Sequence, residues 1–169
     1  KHVGIAGMGR IGQDLAKRLE PFKVEIAYSG PSQKQVPYTY HRNIKDLAQN
    51  CDVLFLACPA TPDTDKMVNA EVLEALGQSG FLVNIARGSV VDENDLLYAL
   101  QHKKIAGAAL DVFENEPNPN KVFLNLDNVL LTPHIGSATS ETRIAMTNLA
   151  VDNLEAFFAK QPLLSEVHN

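Results

Sequence analysis

The amino-acid sequence predicts a doubly wound α/β domain built on a parallel sheet. Short apolar runs alternate with helical patterns along the whole chain, as expected of a parallel sheet with crossover helices. A turn containing Gly7, Gly9 and Gly12 follows the first apolar run, and the run at 52–57 is continuously apolar, as in a central parallel strand. With 169 residues, 45% of them hydrophobic, the chain is long enough to bury one good core.

The first strand and helix follow from the first twenty residues. Residues 3–6 form a short apolar run, which predicts a buried strand. Residues 10–20 carry Ile11, Leu15 and Leu19 at helical spacing, and Pro21 stops this helix.

The later elements are predicted in the same way. Apolar runs that end at polar turns predict strands at 23–28, 52–57, 81–85, 105–110 and 129–131, with a short strand inside 37–43. Helices are predicted at 44–49, 70–76, 92–101 and 138–160. Gly77 ends the third helix, Asp92 is the expected cap of the fourth, and the last is expected to be long and amphipathic.

Composition and charge narrow the class of partner. The net charge is −5 and no lysine-arginine cluster occurs, which argues against nucleic acid and acidic membrane surfaces. No apolar run approaches the ~18 residues of a membrane span. Cys51 and Cys58 have neither CxxC spacing nor the density of a disulfide scaffold, which favours a reducing compartment and a cytoplasmic location. We therefore expect a small-molecule partner and no metal site.

The glycine turn carries the first functional hypothesis. Between a strand and a helix, Gly7 would permit the tight turn, Gly9 would let the backbone approach a pyrophosphate, and Gly12 would let the helix pack closely on the strand. The N–H groups at the start of the helix, from Arg10 and Ile11 onward, would then face phosphates. The motif predicts dinucleotide binding, and the alternative is merely a tight turn.

The end of the second strand bears on which dinucleotide is bound. An acid is expected about 20 residues into an NAD-binding unit, where it accepts hydrogen bonds from the ribose. This chain has Ser29, Gly30, Ser32 and Lys34 in that region, without a nearby acid. Two hydroxyls and a lysine suit a 2′-phosphate, although a polar turn would have the same composition.

Two further strand ends face the same expected crevice. Cys58 and Pro59 follow the strand at 52–57, which should neighbour the first strand where the strand order reverses. For Cys58, a role as a small apolar filler is equally consistent with the sequence. Arg87 ends the strand at 81–85 and is suited to binding a carboxylate or phosphate, or to a surface ion pair.

His134 follows the last strand, at the edge of the sheet where the Gly7 turn should lie. Together with Arg87 and Glu116 it supplies an imidazole, a cation and a carboxylate. In reversible hydride transfer to a keto acid, the arginine would hold the substrate carboxylate and the imidazole would exchange a proton with the carbonyl oxygen. The carboxylate would orient the imidazole.

Four ordered motifs, at 7–12, 84–88, 110–117 and 133–137, together resemble the D-isomer-specific 2-hydroxyacid dehydrogenases over nearly the whole chain. The resemblance implies that Arg87 binds the substrate carboxylate, Glu116 pairs with the histidine and His134 is the acid/base. It also implies that Asp111 lies near the nicotinamide carboxamide.

The pattern is most similar to the NADPH-dependent hydroxypyruvate, glyoxylate and hydroxyphenylpyruvate reductases. This implies NADP (NADPH) as the preferred cofactor, with NAD possible, although Gly30 stands where that branch usually has an arginine. The cofactor-binding residues expected on this basis are Gly7, Gly9, Arg10, Ile11, Ser29, Gly30, Ser32, Lys34, Cys58, Pro59, Thr64, Ile85, Ala86, Arg87, Asp111, His134, Gly136 and Ser137.

The resemblance also sets the expected domain organisation. Residues 1–160 would form the dinucleotide-binding domain and 161–169 a C-terminal tail returning toward a substrate domain that this chain lacks. We therefore expect a longer, homodimeric enzyme that reduces a small 2-keto acid to a D-2-hydroxy acid. The same family includes corepressors that bind the dinucleotide as a ligand, and an inactive cofactor-binding fragment is a third possibility.

Overall fold

The computed structural model describes residues 1–166 and contains one seven-stranded parallel sheet. The strands are β1 (His2–Ala6), β2 (Glu25–Ser29), β3 (Thr39–His41), β4 (Val53–Leu56), β5 (Phe81–Asn84), β6 (Gly107–Leu110) and β7 (Val129–Leu131). Their order is β3-β2-β1-β4-β5-β6-β7, and each neighbouring pair is parallel. The predicted doubly wound sheet is confirmed, with the reversal of strand order between β1 and β4.

The described residues also form five α-helices: α1 (Arg10–Leu19), α2 (Ile44–Gln49), α3 (Ala70–Leu76), α4 (Glu93–Gln101) and α5 (Ser140–Phe158). Short 3-10 turns that the sequence patterns did not indicate occur at Glu20–Phe22, Pro62–Thr64, Gly88–Val90 and Lys121–Asn125. Within residues 1–166, no helix is both long and apolar enough to cross a bilayer.

The alternating direction of side chains along the strands separates two apolar clusters. Leu54 and Leu56 pack with residues of α2, α3 and α4, whereas Phe55 packs with Ile5, Tyr28 and residues of α1. Because successive side chains of a strand point to opposite faces, the two clusters lie on opposite sides of the sheet. The sheet is therefore covered on both faces, as its nearly continuous apolar runs require.

Two of the predicted strands begin two residues later than expected. Lys23 has a φ of 55° and its N–H donates to the Glu20 carbonyl at 2.9 Å, so it closes a turn before β2 begins. The predicted strand at 105–110 begins at Gly107, where a Cβ atom would lie 2.6 Å from the Asn128 carbonyl oxygen.

The prediction that the last helix is amphipathic is wrong. Ile144, Met146, Leu149, Leu154 and Phe158 are all exposed, and none of the residues of α5 is buried. At about 100° per residue these side chains spread around the helix and form no single apolar stripe. The periodicity predicted the helix but not a preferred face.

The chain divides into two compact units, Lys1–Pro133 and a second unit that begins at His134. The first contains the whole sheet and the second contains α5. Within the second unit, the Asn153 side-chain oxygen accepts from the N–H groups of Leu164 and Ser165, at 3.0 and 3.2 Å. The expected division into 1–160 and a tail at 161–169 stays a prediction, and the last three residues of that tail lie outside the described residues.

The turn between β1 and α1 is closely packed at two of its glycines. Gly7 has a φ of 101°, and a Cβ atom there would lie 2.6 Å from the Cys58 backbone nitrogen. A Cβ atom on Gly12 would collide with the Gly7 carbonyl oxygen. At Gly9, by contrast, a Cβ atom would meet no atom within 4 Å.

We predict that Gly7→Ala lowers the free energy of unfolding by about 2–4 kcal/mol, because it combines an unfavourable φ with overpacking. Gly9→Ala is the matched control and should cost less than about 1 kcal/mol, since only the helix cap changes. Urea unfolding monitored by circular dichroism measures both. Equal losses for the two variants would contradict the close packing of Gly7.

Asp92 caps α4, as predicted. Its Oδ1 accepts from the N–H groups of Asn94 and Asp95 at 3.1 and 3.3 Å, and its Oδ2 lies 3.2 Å from Lys66 Nζ. Burial raises the pKa of Asp92, but the hydrogen bonds from Lys66 and the two N–H groups outweigh it, so the pKa of this carboxyl lies below its ordinary value. The carboxylate is therefore the form that stabilises the folded chain.

We predict that Asp92→Ala lowers the free energy of unfolding by about 1–2 kcal/mol at pH 7, whereas Asp92→Asn, which retains the cap, costs less. Because folding lowers the pKa of Asp92, its carboxylate stabilises the folded chain fully at pH values above the pKa of the unfolded chain. This stabilisation is lost as the pH falls through the pKa of the folded chain. The difference between the original chain and Asp92→Asn should therefore shrink in acid. A pH-independent difference in urea unfolding would exclude an ionic contribution.

Candidate functional site

A crevice of about 600 Å³ lies at the carboxyl ends of the central strands. It is next to the reversal of strand order between β1 and β4, where open α/β sheets bind ligands. The lining residues are Gly9, Arg10, Ile11, Ala57, Cys58, Pro59, Ala60, Ile85, Ala86 and Arg87. The structure thus brings together residues that the sequence analysis had drawn from three separate strand ends.

The amino end of α1 forms one wall of this crevice. The N-cap of α1 is Gly9, which makes no side-chain hydrogen bond. The Gln13 N–H donates to the Gly9 carbonyl at 3.0 Å. The N–H groups of the first turn have no acceptor within the helix, and the helix dipole is positive there. Because the space beside Gly9 is open, an anionic group such as a pyrophosphate fits this end of the helix.

The end of β2 is attached directly to the glycine turn. The Gly7 N–H donates to the Ser29 carbonyl at 2.9 Å. Ser29 itself is buried, whereas Ser32 and Lys34 are exposed on the following loop. That loop is held by Tyr28, whose hydroxyl oxygen accepts from the Lys34 N–H at 2.7 Å.

The loop after β4 is held by Thr64. Its hydroxyl donates to the Pro59 carbonyl and accepts from the Thr61 N–H, both at 2.8 Å. In this structure Thr64 therefore positions the loop segment that contains Cys58 and Pro59. Burial raises the pKa of the Cys58 thiol, which keeps it protonated and favours the interpretation as a small apolar filler.

Arg87 directly follows the turn that ends β5. The buried Asn84 shapes this turn, because its amide donates to the Arg87 carbonyl at 3.1 Å and its oxygen accepts from the Ala86 N–H at 3.0 Å. The Arg87 side chain is anchored by a 2.6 Å hydrogen bond from Nη1 to Ala86 O and stays exposed. Sequence reasoning assigned no role to Asn84, although a polar residue at the end of an apolar run is the signal that would have found it.

The loop after β6 lies next to the turn that ends β5. A Cβ atom on Gly88 would collide with the backbone of Phe113, and Glu116 Oε1 accepts from the Phe113 N–H at 3.1 Å. Asp111 Oδ1 accepts from the Thr132 hydroxyl at 2.6 Å. Asp111 and Glu116 are therefore placed by hydrogen bonds within the first unit.

His134 is the first residue of the second unit and has a φ of 53°. Gly136 and Ser137 follow it, before α5 begins. The predicted set of Arg87, Glu116 and His134 is thus divided between the two units, and its assembly stays a prediction.

A second cavity, of about 560 Å³, is lined by His2, Glu25 and Asp52 among others. Its charged groups already pair with neighbours: His2 Nε2 lies 3.2 Å from Glu25 Oε2, and Lys1 Nζ lies 3.0 Å from Asp52 Oδ1. The backbone N–H of His2 is the main cause of a lowered pKa at Asp52. In the described part of the chain, no three His, Cys, Asp or Glu side chains form a group that could hold a metal ion.

Comparison with known proteins extends this description. The profile of the NAD-binding domain of D-isomer specific 2-hydroxyacid dehydrogenases matches residues 1–136. The chain is 52% identical over 168 residues to a 2-ketogluconate reductase of Gluconobacter oxydans and covers 99% of itself and 54% of that protein. It is 50% identical over 169 residues to a hydroxyphenylpyruvate reductase of Plectranthus scutellarioides, again covering 99% and 54%.

Solved structures give the same result. An NADPH-dependent glyoxylate/hydroxypyruvate reductase of Sinorhizobium meliloti, crystallised with NADP and malonate, matches with a TM-score of 0.96 and 48% identity. The match covers 99% of this chain and 53% of that one. The chain spans about half the length of the relatives it matches, and it belongs to the D-isomer specific 2-hydroxyacid dehydrogenases, of which it contains the NAD-binding domain.

Proposed function

We propose that this chain is the cofactor-binding half of an enzyme that reduces a small 2-keto acid, such as hydroxypyruvate or glyoxylate, to the D-2-hydroxy acid. NADPH is the preferred cofactor in this proposal and NADH is also used. The observation that carries it is the crevice beside the β1–β4 reversal, which has an open helix amino end on one side and Arg87 on another. The relatives named as reductases of glyoxylate, hydroxypyruvate or hydroxyphenylpyruvate support the reaction class.

The proposed cofactor contacts follow the wall of the crevice. The N–H groups at the start of α1, beginning with Arg10 and Ile11, would bind the pyrophosphate. Ser29 and its loop would surround the adenosine ribose, since the Gly7–Ser29 hydrogen bond holds that strand end beside the glycine turn. Cys58, Pro59, Ile85 and Ala86 would supply apolar contacts, with Asp111 nearer the nicotinamide. The bound dinucleotide would supply the hydride.

The substrate would be handled by side chains of this chain. Arg87 presents a planar cation that matches a carboxylate, so it would bind and orient the keto acid. His134 would donate a proton to the carbonyl oxygen during reduction and take it back in the reverse direction. Glu116 would stabilise the charged imidazole, and the hydrogen bond from Phe113 orients its carboxylate.

A homodimer and a cytoplasmic location complete the proposal. Large apolar side chains are exposed in both units, among them Tyr98 and Leu130 in the first and Phe157 in the second, which favours association. Cys51 and Cys58 are free thiols, in keeping with a reducing compartment.

We predict that His134→Ala in the full-length enzyme lowers kcat by ~10²-fold or more, because general acid catalysis is lost. The dissociation constant for NADPH should stay nearly unchanged. His102→Ala is the matched control: this imidazole is exposed and is hydrogen-bonded to Tyr98 O of its own helix, at 2.9 Å, and turnover should be normal. Steady-state kinetics and fluorescence titration measure the two quantities, and near-normal turnover of His134→Ala would remove it from the acid/base role.

We predict that Ser29→Asp shifts the ratio of kcat/KM values toward NADH by at least ~10-fold, which is about 1.4 kcal/mol. The new carboxylate would repel a 2′-phosphate and accept hydrogen bonds from the ribose hydroxyls. Ser29→Asn has the same shape without the charge and controls for steric effects at this buried position. If the unmodified enzyme prefers NADH, or if Asp and Asn act alike, the phosphate interpretation of this strand end fails.

A further inference from the structure

We propose that Arg42 is a specificity-determining residue that binds the 2′-phosphate of NADPH from the strand next to Ser29. The proposal rests on the dinucleotide-binding function proposed above and adds a residue to which neither motif spacing nor the comparisons give a role. It follows from strand pairing, the local charges and the position of Arg42 next to a helix.

The register of the sheet places Arg42 beside Gly30. Strands β2 and β3 are parallel, and Ser29 is opposite His41 at the end of their ladder. The next residues along the two strands are Gly30 and Arg42. Because neighbouring strands lie about 4.8 Å apart, the two backbones stay close as they leave the sheet. The Tyr40 hydroxyl reinforces this contact by donating to the Gly30 carbonyl at 3.0 Å.

The surface around Gly30 has room for a phosphate. A Cβ atom on Gly30 would meet nothing within 4 Å, so the space beside the strand end is open. Ser29 is 5% exposed, and within residues 1–166 its hydroxyl makes no hydrogen bond to the protein. Because the described residues contain no buried side-chain oxygen without a partner, the Ser29 hydroxyl retains contact with solvent and can donate to an oxyanion bound in the open space.

Arg42 is available to bind an anion. It is exposed, and in the described part of the chain it has no ion pair and no side-chain hydrogen bond. The nearest downstream acid, Asp46, is held by Asn43, whose amide donates to Asp46 Oδ2 at 2.7 Å. Residues 29–43 contain no Asp or Glu, while Lys34 and Arg42 are both cationic. The segment 29–43 therefore carries a net positive charge on a chain whose net charge is −5.

The position of Arg42 does not favour the stability of α2. It precedes Asn43, the cap of that helix, where the dipole makes a cation unfavourable. A cation that neither pairs with an acid nor stabilises its helix is available to an external anion. The planar guanidinium is well matched to a phosphate, to which the hydroxyls of Ser29 and Ser32 bring no charge.

The test measures binding of two probes to the full-length protein by isothermal titration calorimetry: adenosine 2′,5′-bisphosphate and 5′-AMP, which differ only in the 2′-phosphate. Arg42→Ala should weaken the binding of the bisphosphate by at least ~10-fold, because a charge-assisted hydrogen bond is lost. The dissociation constant of 5′-AMP should change by less than ~2-fold. Arg42→Lys should retain part of the binding. Arg18→Ala is the matched control, since it removes an exposed arginine that pairs with Asp14, at 4.0 Å, on its own helix.

A second variant tests the geometry. In the double variant Arg42→Ala with Gly30→Arg, the guanidinium moves across the strand pair into the open space beside Gly30. This should restore most of the bisphosphate affinity and leave 5′-AMP binding unchanged. Unchanged melting temperatures would show that each variant is folded.

The outcomes separate this proposal from the proposed function. Loss of bisphosphate binding alone in Arg42→Ala supports the assignment. Equal weakening of both probes, or no weakening of either, overturns it while dinucleotide binding stands. If the unmodified protein binds neither probe and neither NADPH nor NADH, the proposed function itself fails.

Discussion

The close packing of the Gly7 turn is the constraint on which the rest of the site depends. Its N–H donates to the Ser29 carbonyl, its α-carbon lies against the Cys58 backbone, and its carbonyl leaves no space for a side chain on Gly12. One residue thus connects the ends of β1, β2 and β4 to the start of α1. Because these four elements meet without intervening side chains, the open amino end of α1 faces the crevice.

Cationic groups line the crevice of an acidic protein. The net charge is −5, yet the crevice is lined by the amino end of α1 and by the exposed residues Arg10 and Arg87, and on our proposal Arg42 adds a further cation at the end of β3. Helix N–H groups suit a pyrophosphate, whereas a guanidinium suits a carboxylate or phosphate. This arrangement allows one crevice to orient a long anionic ligand in a single direction.

Sequence patterns were reliable where local rules decide the outcome. The apolar runs and helical spacings predicted every α-helix and strand within a few residues, and Asp92 was placed correctly as a cap. They were less reliable where a distant contact decides. Arg42 leaves the sheet next to Gly30 only because β3 pairs with β2, and no local pattern specifies that pairing. The role of Asn84 was missed although its bonds to Ala86 and Arg87 are local.

The sequence by itself determined the fold class, the family and the residue types available for chemistry, because glycine turns, apolar periodicity and ordered motifs are local properties of the chain. Only the tertiary structure decided which of these residues share a surface. Strand order brings Gly9, Cys58 and Ile85 to one crevice although they are far apart in the chain. The structure also showed that the apolar side chains of α5 are exposed and spread around the helix, since a helical period specifies where a helix forms but not what covers it.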